Sequence, residues 1–242
     1  MDVSTEELFD VVDAAVRDLL ARAGVVEPPV DALWIAQRVF GMSIVYTEPD
    51  DGLPPQYGDP PKRRPGPNSI VLREEQSSEA QHGLAAKAIG KRMLPVIFPK
   101  IGIADGTENP SSRNALVALV VPRLLLPTRW FGPDARKSGY DLLEMKDRYS
   151  SAGFELIAHR MLDVDDEPCV IAIVDDSSVV SRRGNRFQAT RTLTPAERIC
   201  SERVEETNEP ARVRKDDWTA WGWPTVGIPF RRIILRAVPD EI

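Results

Sequence analysis

The sequence predicts an α+β fold, and two patterns carry that prediction. Residues 5–23 and 78–94 place apolar side chains three and four positions apart, which is the spacing of one helical face. Short runs rich in β-branched residues occur at residues 42–46 and 69–73, and four more follow residue 165. We therefore expect helices with a small sheet in the first part of the chain and a mixed unit at its end.

Composition narrows the class of protein. The chain has 242 residues, is 42% hydrophobic, and so can bury a core and divide into two or three units. Its formal net charge of −6 gives no overall attraction to nucleic acid or to anionic membranes. The acidic N-terminal residues lack the order of a signal peptide, so we expect a cytoplasmic protein. In that reducing compartment Cys169 and Cys200 are predicted to be free thiols.

The first helix, residues 5–23, should end at Gly24, and a second should span residues 31–40. The strands at residues 42–46 and 69–73 follow. A proline-rich loop separates them and carries Lys62, Arg63 and Arg64, which we interpret as a solvated loop rather than a binding patch.

Two apolar helices are predicted at the centre of the chain. Ser78 and Gln81 have the spacing of a capping box, so a helix should begin there and run through residue 94. Residues 114–127 are apolar enough to cover its inner face. The apolar pattern of these two helices predicts that they pack together and indicates no chemical function.

Two short helices are predicted at residues 140–149 and 154–162, joined by a Ser-Ser-Ala-Gly turn. They have the size of a helix-turn-helix pair, although a helical packing unit is the commoner outcome. For base reading the second helix offers only three suitable side chains, which are Glu155, His159 and Arg160.

A mixed unit is predicted from residue 165 onward. The acidic turn of Asp163, Asp165, Asp166 and Glu167 lacks the closing Glu of a calcium loop and indicates a domain boundary. Thr194 and Pro195 suit the N-cap and first turn of a helix over residues 194–206. The strands are predicted at residues 169–174, 179–182, 211–214 and 230–238.

Three tryptophans fall close together in this last part of the chain. Trp218, Trp221 and Trp223, with Phe230, could form a ligand-stacking or partner surface. The alternative is that they belong to the core of a small domain, which is more common for such clusters.

Several segments carry a resemblance to a known family. They read PPVDALWIAQRVFGMSIVY, SSEAQHGLAAKAIGKRM, RLLLPTRWF, YDLLEMKDRYSSAGFELIAHRMLD and RRIILR. Residues 28–162 thereby resemble the ImmA/IrrE family of zinc metallopeptidase-like proteins. The resemblance implies a zincin-like domain over residues 1–135, a helix-turn-helix-like segment over residues 136–164, and a small α+β domain over residues 165–242.

Active members of that family hold zinc through an HExxH-like motif on one central helix and a Glu on the next. Lys87, Ala88, Lys91 and Asn114 stand at the matching positions here. The chain contains only His82 and His159, so no shift of register restores two histidines. A lysine about 4 Å from Zn²⁺, at an effective dielectric of about 20, would cost roughly 8 kcal/mol. We therefore expect no zinc and no hydrolysis.

The resemblance then implies a non-catalytic regulatory protein, a pseudo-metallopeptidase. Family members act on helix-turn-helix transcriptional regulators, often under stress, so a protein partner of that kind is expected, with no membrane contact and no nucleic acid. Lys87, Lys91 and Asn114 form a possible anion or partner cleft. The alternative is that both lysines simply face solvent.

Two other function classes stay open. One is a peptidase with atypical metal ligands, drawn from the carboxylates of residues 163–167 or from His82 and Glu79. The other is a direct DNA-binding regulator that uses the helices of residues 140–162 and the basic segments 62–64 and 182–186. A GAF-like sensory role for the C-terminal domain is implied by some relatives.

Overall fold

The computed structural model describes residues 4–47, 66–103, 109–225 and 230–240. Across these residues the chain forms eight α-helices and two sheets, and the predicted α+β class is confirmed. The chain divides into two compact units. The first contains residues 1–127 and 149–152, and the second contains residues 128–148 and 153–242. Lys62, Arg63 and Arg64 lie outside the described residues.

Within its described residues, the first unit contains four α-helices, a two-stranded sheet and a short 3₁₀ helix at Phe98–Ile101. The first helix begins after the cap Ser4 and ends at Gly24, whose φ of +72° is the left-handed conformation that glycine adopts readily. The bounds are α1 Thr5–Ala23, α2 Ala32–Phe40, β1 Ser43–Thr47, β2 Ser69–Arg73, α3 Ser78–Ile97 and α4 Pro110–Leu125.

The central helix α3 begins at the predicted position, but its cap differs from the prediction. The hydroxyl of Ser77, not of Ser78, accepts the hydrogen bond from the backbone N–H of Ala80. Gln81 turns back and donates to the carbonyl of Gln76 at 3.1 Å. Two successive serines offer two candidate caps, and the one outside the helix takes the role because a cap must have non-helical dihedral angles.

Strands β1 and β2 are parallel, and the start of the pair is fixed by side chains. The hydroxyls of Ser43 and Ser69 lie 2.8 Å apart across the strands. Asn68 donates to the carbonyl of Gly41 at 2.8 Å, and its own side-chain oxygen accepts from Arg92 on α3. The central helix is thereby tied to the strand pair.

The second unit is built on a five-stranded antiparallel sheet in the order β4-β3-β7-β6-β5. Helix α7 packs against β3 and β7, and α8 packs against β5, β6 and β7. The bounds are α5 Thr128–Lys137, α6 Leu142–Arg148, α7 Phe154–Val164, β3 Val170–Asp175, β4 Ser178–Gly184, α8 Pro195–Thr207, β5 Ala211–Lys215, β6 Trp218–Thr225 and β7 Arg232–Pro239.

Two of these elements are absent from the sequence-based prediction. Helix α5 continues through Pro133, although the sequence from Gly132 resembles a polar turn. Strand β6 occupies the tryptophan-rich stretch, for which the sequence predicts a surface or a core cluster but no strand. In both places the residue types suggest the wrong secondary structure: glycine and proline suggest a turn in α5, and the tryptophans suggest a cluster without a strand in β6.

Helix α8 approaches the sheet closely at Gly222 on β6. A Cβ at this position would lie 2.9 Å from methyl carbons of Leu235 and Val204, and 3.0 Å from the sulfur of Cys200. These neighbours belong to the apolar core between the helix and the sheet. Only a glycine leaves room for this contact.

We expect Gly222→Ala to lower the free energy of unfolding by about 1–3 kcal/mol, because the added methyl overpacks that core. Urea denaturation followed by circular dichroism measures the change. Gly83→Ala is the control, since a Cβ there has no neighbour within 4 Å and alanine is favoured over glycine inside a helix. Equal losses in the two variants would contradict the packing explanation.

Candidate functional site

The positions matched to the family's zinc site lie on α3 and α4 of the first unit. Lys87 and Lys91 are four residues apart on α3 and both are exposed, while Ala88 between them is half-buried. Asn114 is exposed on α4, three residues before Val117. Val117 is the residue that a Cβ on Gly90 would approach to 3.3 Å, so the two helices pack closely beside Lys91.

These side chains offer hydrogen-bond donors rather than metal ligands. Two ammonium groups donate only, and the asparagine contributes one amide. Neither lysine forms an ion pair with the residues that the structure describes. Within the described ranges no three His, Cys, Asp or Glu side chains are grouped so that they could hold a metal ion. Cationic and amide donors of this kind pair with anions rather than with metal ions.

His82 and Glu79, the atypical ligands considered above, lie near the start of α3. His82 Nδ1 is 3.9 Å from a carboxylate oxygen of Asp31, which caps α2 by accepting from the Trp34 N–H at 2.8 Å. Burial lowers the pKa of His82, and Asp31 and Glu79 only partly oppose this shift. The imidazole is consequently neutral at pH 7.

The carboxylates of the acidic turn are directed at different arginines. Asp163 accepts from Arg160 at 2.8 Å, and Asp165 accepts from Arg236 at 2.6 Å. Asp166 lies 3.7 Å from Arg136. Because each of the three is engaged by its own cation, they do not converge as ligands on one point.

Helix α7, the candidate recognition helix, holds its polar side chains in contacts within the second unit. Glu155 accepts from Arg232 at 3.0 Å. Arg160 is only 2% exposed and donates to Asp163 and Thr128. Burial, together with Arg183, lowers the pKa of His159. Glu155 and Arg160 are therefore occupied by partners within the unit, and the Nε2 atom of His159 is buried.

The arginines of the basic segment 182–186 differ in their contacts. The side chain of Arg182 is 5% exposed and donates to both carboxylate oxygens of Glu197, each at 3.0 Å. Arg186 donates to the backbone carbonyl of Asp166 at 3.1 Å. Arg183 is exposed.

The structure does not bring the three tryptophans together on one surface. Residues alternate between the two faces of β6, so Trp218 faces the α8 side with the apolar core. Trp221 and Trp223 lie on the opposite face, where Trp223 is 3% exposed and donates to Asp141 at 3.4 Å. Phe230 stands apart, beside the guanidinium of Arg232.

The second unit also contains a buried ion pair between Asp165 and Arg236, which the sequence does not predict. The Arg236 guanidinium lies 4.5 Å from the ring centroid of Tyr140 and 5.3 Å from that of Trp221. Burial, followed by the charge of Asp165, raises the pKa of Tyr140 to about 12. These residues are far apart in the sequence, so no local pattern signals the cluster.

Both cysteines are buried free thiols on different sides of the sheet. Cys169 lies beside Asp165 and Arg236, and Cys200 belongs to the core under α8. Burial raises the pKa of each thiol to about 12. Neither thiol is therefore a nucleophile near neutral pH.

No single helix among the described residues is long and apolar enough to cross a membrane. One bent pair of consecutive helices, Pro110–Leu125 with Thr128–Lys137, reaches that threshold by length and composition alone.

Comparison with known proteins identifies a shared fold. No protein-family model matches the sequence, and no curated protein matches it. A solved structure of a Mycobacterium tuberculosis transcriptional regulator is similar over 97% of this chain and 80% of that chain. The TM-score is 0.61 and the sequence identity is 18%.

Proposed function

We propose that this chain is a non-catalytic regulatory protein of the ImmA/IrrE type that acts by binding a transcriptional regulator. The observation that carries the proposal is the trio of Lys87, Lys91 and Asn114 on α3 and α4. By sequence position they match the two ligand positions one helical turn apart and the third position on the next helix of an HExxH-type zinc site. In this chain the three residues are two lysines and an asparagine, so we infer that these positions bind a partner protein rather than zinc.

The neighbour from M. tuberculosis supports the regulatory part of the proposal. It is a transcriptional regulator, and the similarity extends over nearly all of the present chain. A regulator of this type would work in the cytoplasm, where its protein partners bind DNA.

We favour a protein partner over direct contact with DNA. The reason lies on α7, where Arg160 and Glu155 are engaged by Asp163 and Arg232 within the second unit. A helix that reads bases must present such side chains to the groove. We therefore propose that the chain acts by binding to a partner regulator.

The family assignment predicts that zinc binding can be restored. We expect a variant carrying Lys87→His, Ala88→Glu, Lys91→His and Asn114→Glu to retain about one zinc per chain after dialysis, because it regains three protein ligands and the base. The parent chain should retain none. Elemental analysis of both proteins by mass spectrometry measures the difference.

A triple variant that keeps Asn114 is the control for this experiment. It has lost the third ligand from α4 and should release its zinc on dialysis. If the quadruple variant holds no more zinc than the triple variant, α3 and α4 lack the family geometry. The ImmA/IrrE assignment would then be wrong.

The binding function is tested by capture. The immobilised chain is mixed in turn with each purified helix-turn-helix regulator encoded beside its own gene, and binding is measured at micromolar concentration. We expect at least one regulator to be retained. Retention of none would contradict the proposed function.

A further inference from the structure

The two central helices of the first unit carry an unusual charge distribution. The chain as a whole has 37 acidic side chains and a net charge of −6. Residues 80–103 and 109–133 nevertheless contain no Asp or Glu. Asp105 and Glu108, which separate these stretches, lie outside the described residues. Apart from Glu79 in the first turn of α3, the charged side chains of α3 and α4 are all basic.

We use the term basic α3–α4 surface for the exposed polar side chains Lys87, Lys91, Arg92, Arg113 and Asn114. The two lysines share a face, since four residues separate them on one helix. An exposed lysine on a helix is commonly balanced by a Glu three or four positions away. The corresponding positions on α3 hold only glycine, alanine, leucine, proline and the other lysine.

Apolar side chains are interleaved with these cations. Pro95 is exposed and follows Lys91 by one helical turn. Ala115 and Ala118 are exposed on α4, next to Asn114. The surface therefore presents cations and aliphatic groups together rather than cations alone.

We propose that the basic α3–α4 surface docks an acidic amphipathic segment of a protein partner. This inference rests on the proposed function and specifies the chemistry of the partner at the same site. Carboxylates of the segment pair with the ammonium groups of Lys87 and Lys91, and its apolar side chains cover Pro95 and the exposed alanines. A nucleic-acid backbone would use the cations and leave the aliphatic groups uncovered.

Charge complementarity sets the expected behaviour of this complex. Exposed ion pairs contribute modestly to affinity, but a concentrated field of one sign accelerates association with an oppositely charged partner. Binding should therefore weaken as salt is raised, and it should depend on both lysines.

The test uses a fluorescently labelled synthetic helix in which Glu and Leu follow helical spacing, with a second peptide that carries Lys in place of Glu. Fluorescence anisotropy should show micromolar binding of the acidic peptide at low salt and much weaker binding of the basic one. We expect Lys87→Glu with Lys91→Glu to weaken binding of the acidic peptide at least tenfold.

The matched control is Lys137→Glu with Lys215→Glu. It makes the same change in net charge at two exposed lysines of the second unit, and it should alter the affinity less than twofold. Equal losses in the two double variants would overturn the proposal, because net charge alone would explain them. Lack of binding to the acidic peptide by the parent chain would also overturn it.

Two further outcomes would assign the surface to another occupant. Labelled random-sequence DNA bound through the same lysines would replace the acidic segment with nucleic acid. A dimer in sedimentation experiments that is lost in the Lys87→Glu, Lys91→Glu variant would identify a second copy of this chain as the occupant. Either result would overturn the proposal.

The capture experiment separates this inference from the proposed function. If the parent and the Lys87→Glu, Lys91→Glu variant capture a regulator equally, the proposed docking surface is wrong and the proposed function still holds. If the chain binds the acidic peptide but captures no regulator, the docking surface is supported and the proposed function is wrong.

Discussion

Asp165→Ala is expected to lower the free energy of unfolding by about 3–5 kcal/mol, the range for one broken member of a buried ion pair. The substitution leaves the guanidinium of Arg236, which is 4% exposed, without its carboxylate. Chemical denaturation, followed by the fluorescence of the tryptophans on β6, measures the loss.

The surroundings of Arg236 do not compensate for the missing charge. Its guanidinium lies near the rings of Tyr140 and Trp221, and such contacts are worth on the order of 0.5–2 kcal/mol. Asp165 also accepts from the backbone N–H of Glu167 at 3.1 Å, and this bond is lost too. The variant therefore loses both a charge partner and an anchor for the acidic turn.

A double variant separates unpaired charge from lost packing. Asp165→Leu with Arg236→Met removes both charges and should be clearly more stable than Asp165→Ala. Lys215→Ala, which breaks an exposed pair with Asp216, is the surface control and should change stability by less than about 1 kcal/mol. If the double variant is as unstable as the single one, the buried charge is not the cause.

Glu197→Ala should have an effect of similar size, about 3–5 kcal/mol, through the pair between β4 and α8. Glu197 is 0% exposed, and both of its oxygens accept from Arg182 at 3.0 Å. The same carboxylate accepts from the backbone N–H of Thr194 at 2.7 Å, which completes a capping box at the start of α8. One side chain thus joins the helix start to the sheet.

Two further substitutions separate the contribution of the ion pair with Arg182 from that of the helix cap. Thr194→Ala removes the other half of the capping box and should cost about 1 kcal/mol. Glu197→Gln keeps an oxygen for the Thr194 N–H but removes the charge that faces Arg182, so it should resemble Glu197→Ala more than Thr194→Ala. Thermal denaturation of the three variants gives the order. A Glu197→Gln protein as stable as the parent would show that the charge contributes nothing.

The start of α8 illustrates what the sequence can predict. Thr194, Pro195 and Glu197 act within a single turn, so their meaning is visible without knowledge of the fold. Gly24 at the end of α1 is a similar case. Local chemistry sets these boundaries, and the structure has them within a residue or two of the prediction.

Long-range features could not be predicted in the same way. The pair of Asp165 and Arg236 joins residues that are 71 positions apart. The sequence shows Asp165 only as part of an acidic run, which usually lies on the surface. Its burial follows from the pairing of β3 with β7, and no local pattern specifies that pairing.

The candidate site falls between these two cases. The helical spacing of Lys87 and Lys91 is evident from the sequence, and both lie on α3. The proximity of α4 depends on Gly90, whose missing side chain lets Val117 and Val120 approach. The charge segregation of α3 and α4 gains meaning only once these helices are known to pack together.

The sheet order has a consequence for biosynthesis. Strand β7 lies between β3 and β6, yet the ribosome makes it after all the other strands of that sheet. Until residues 232–239 emerge, the β3–β4 and β5–β6 hairpins each carry an unsatisfied edge rich in apolar residues. We expect a nascent chain paused before β7 to be prone to aggregation and to need chaperones.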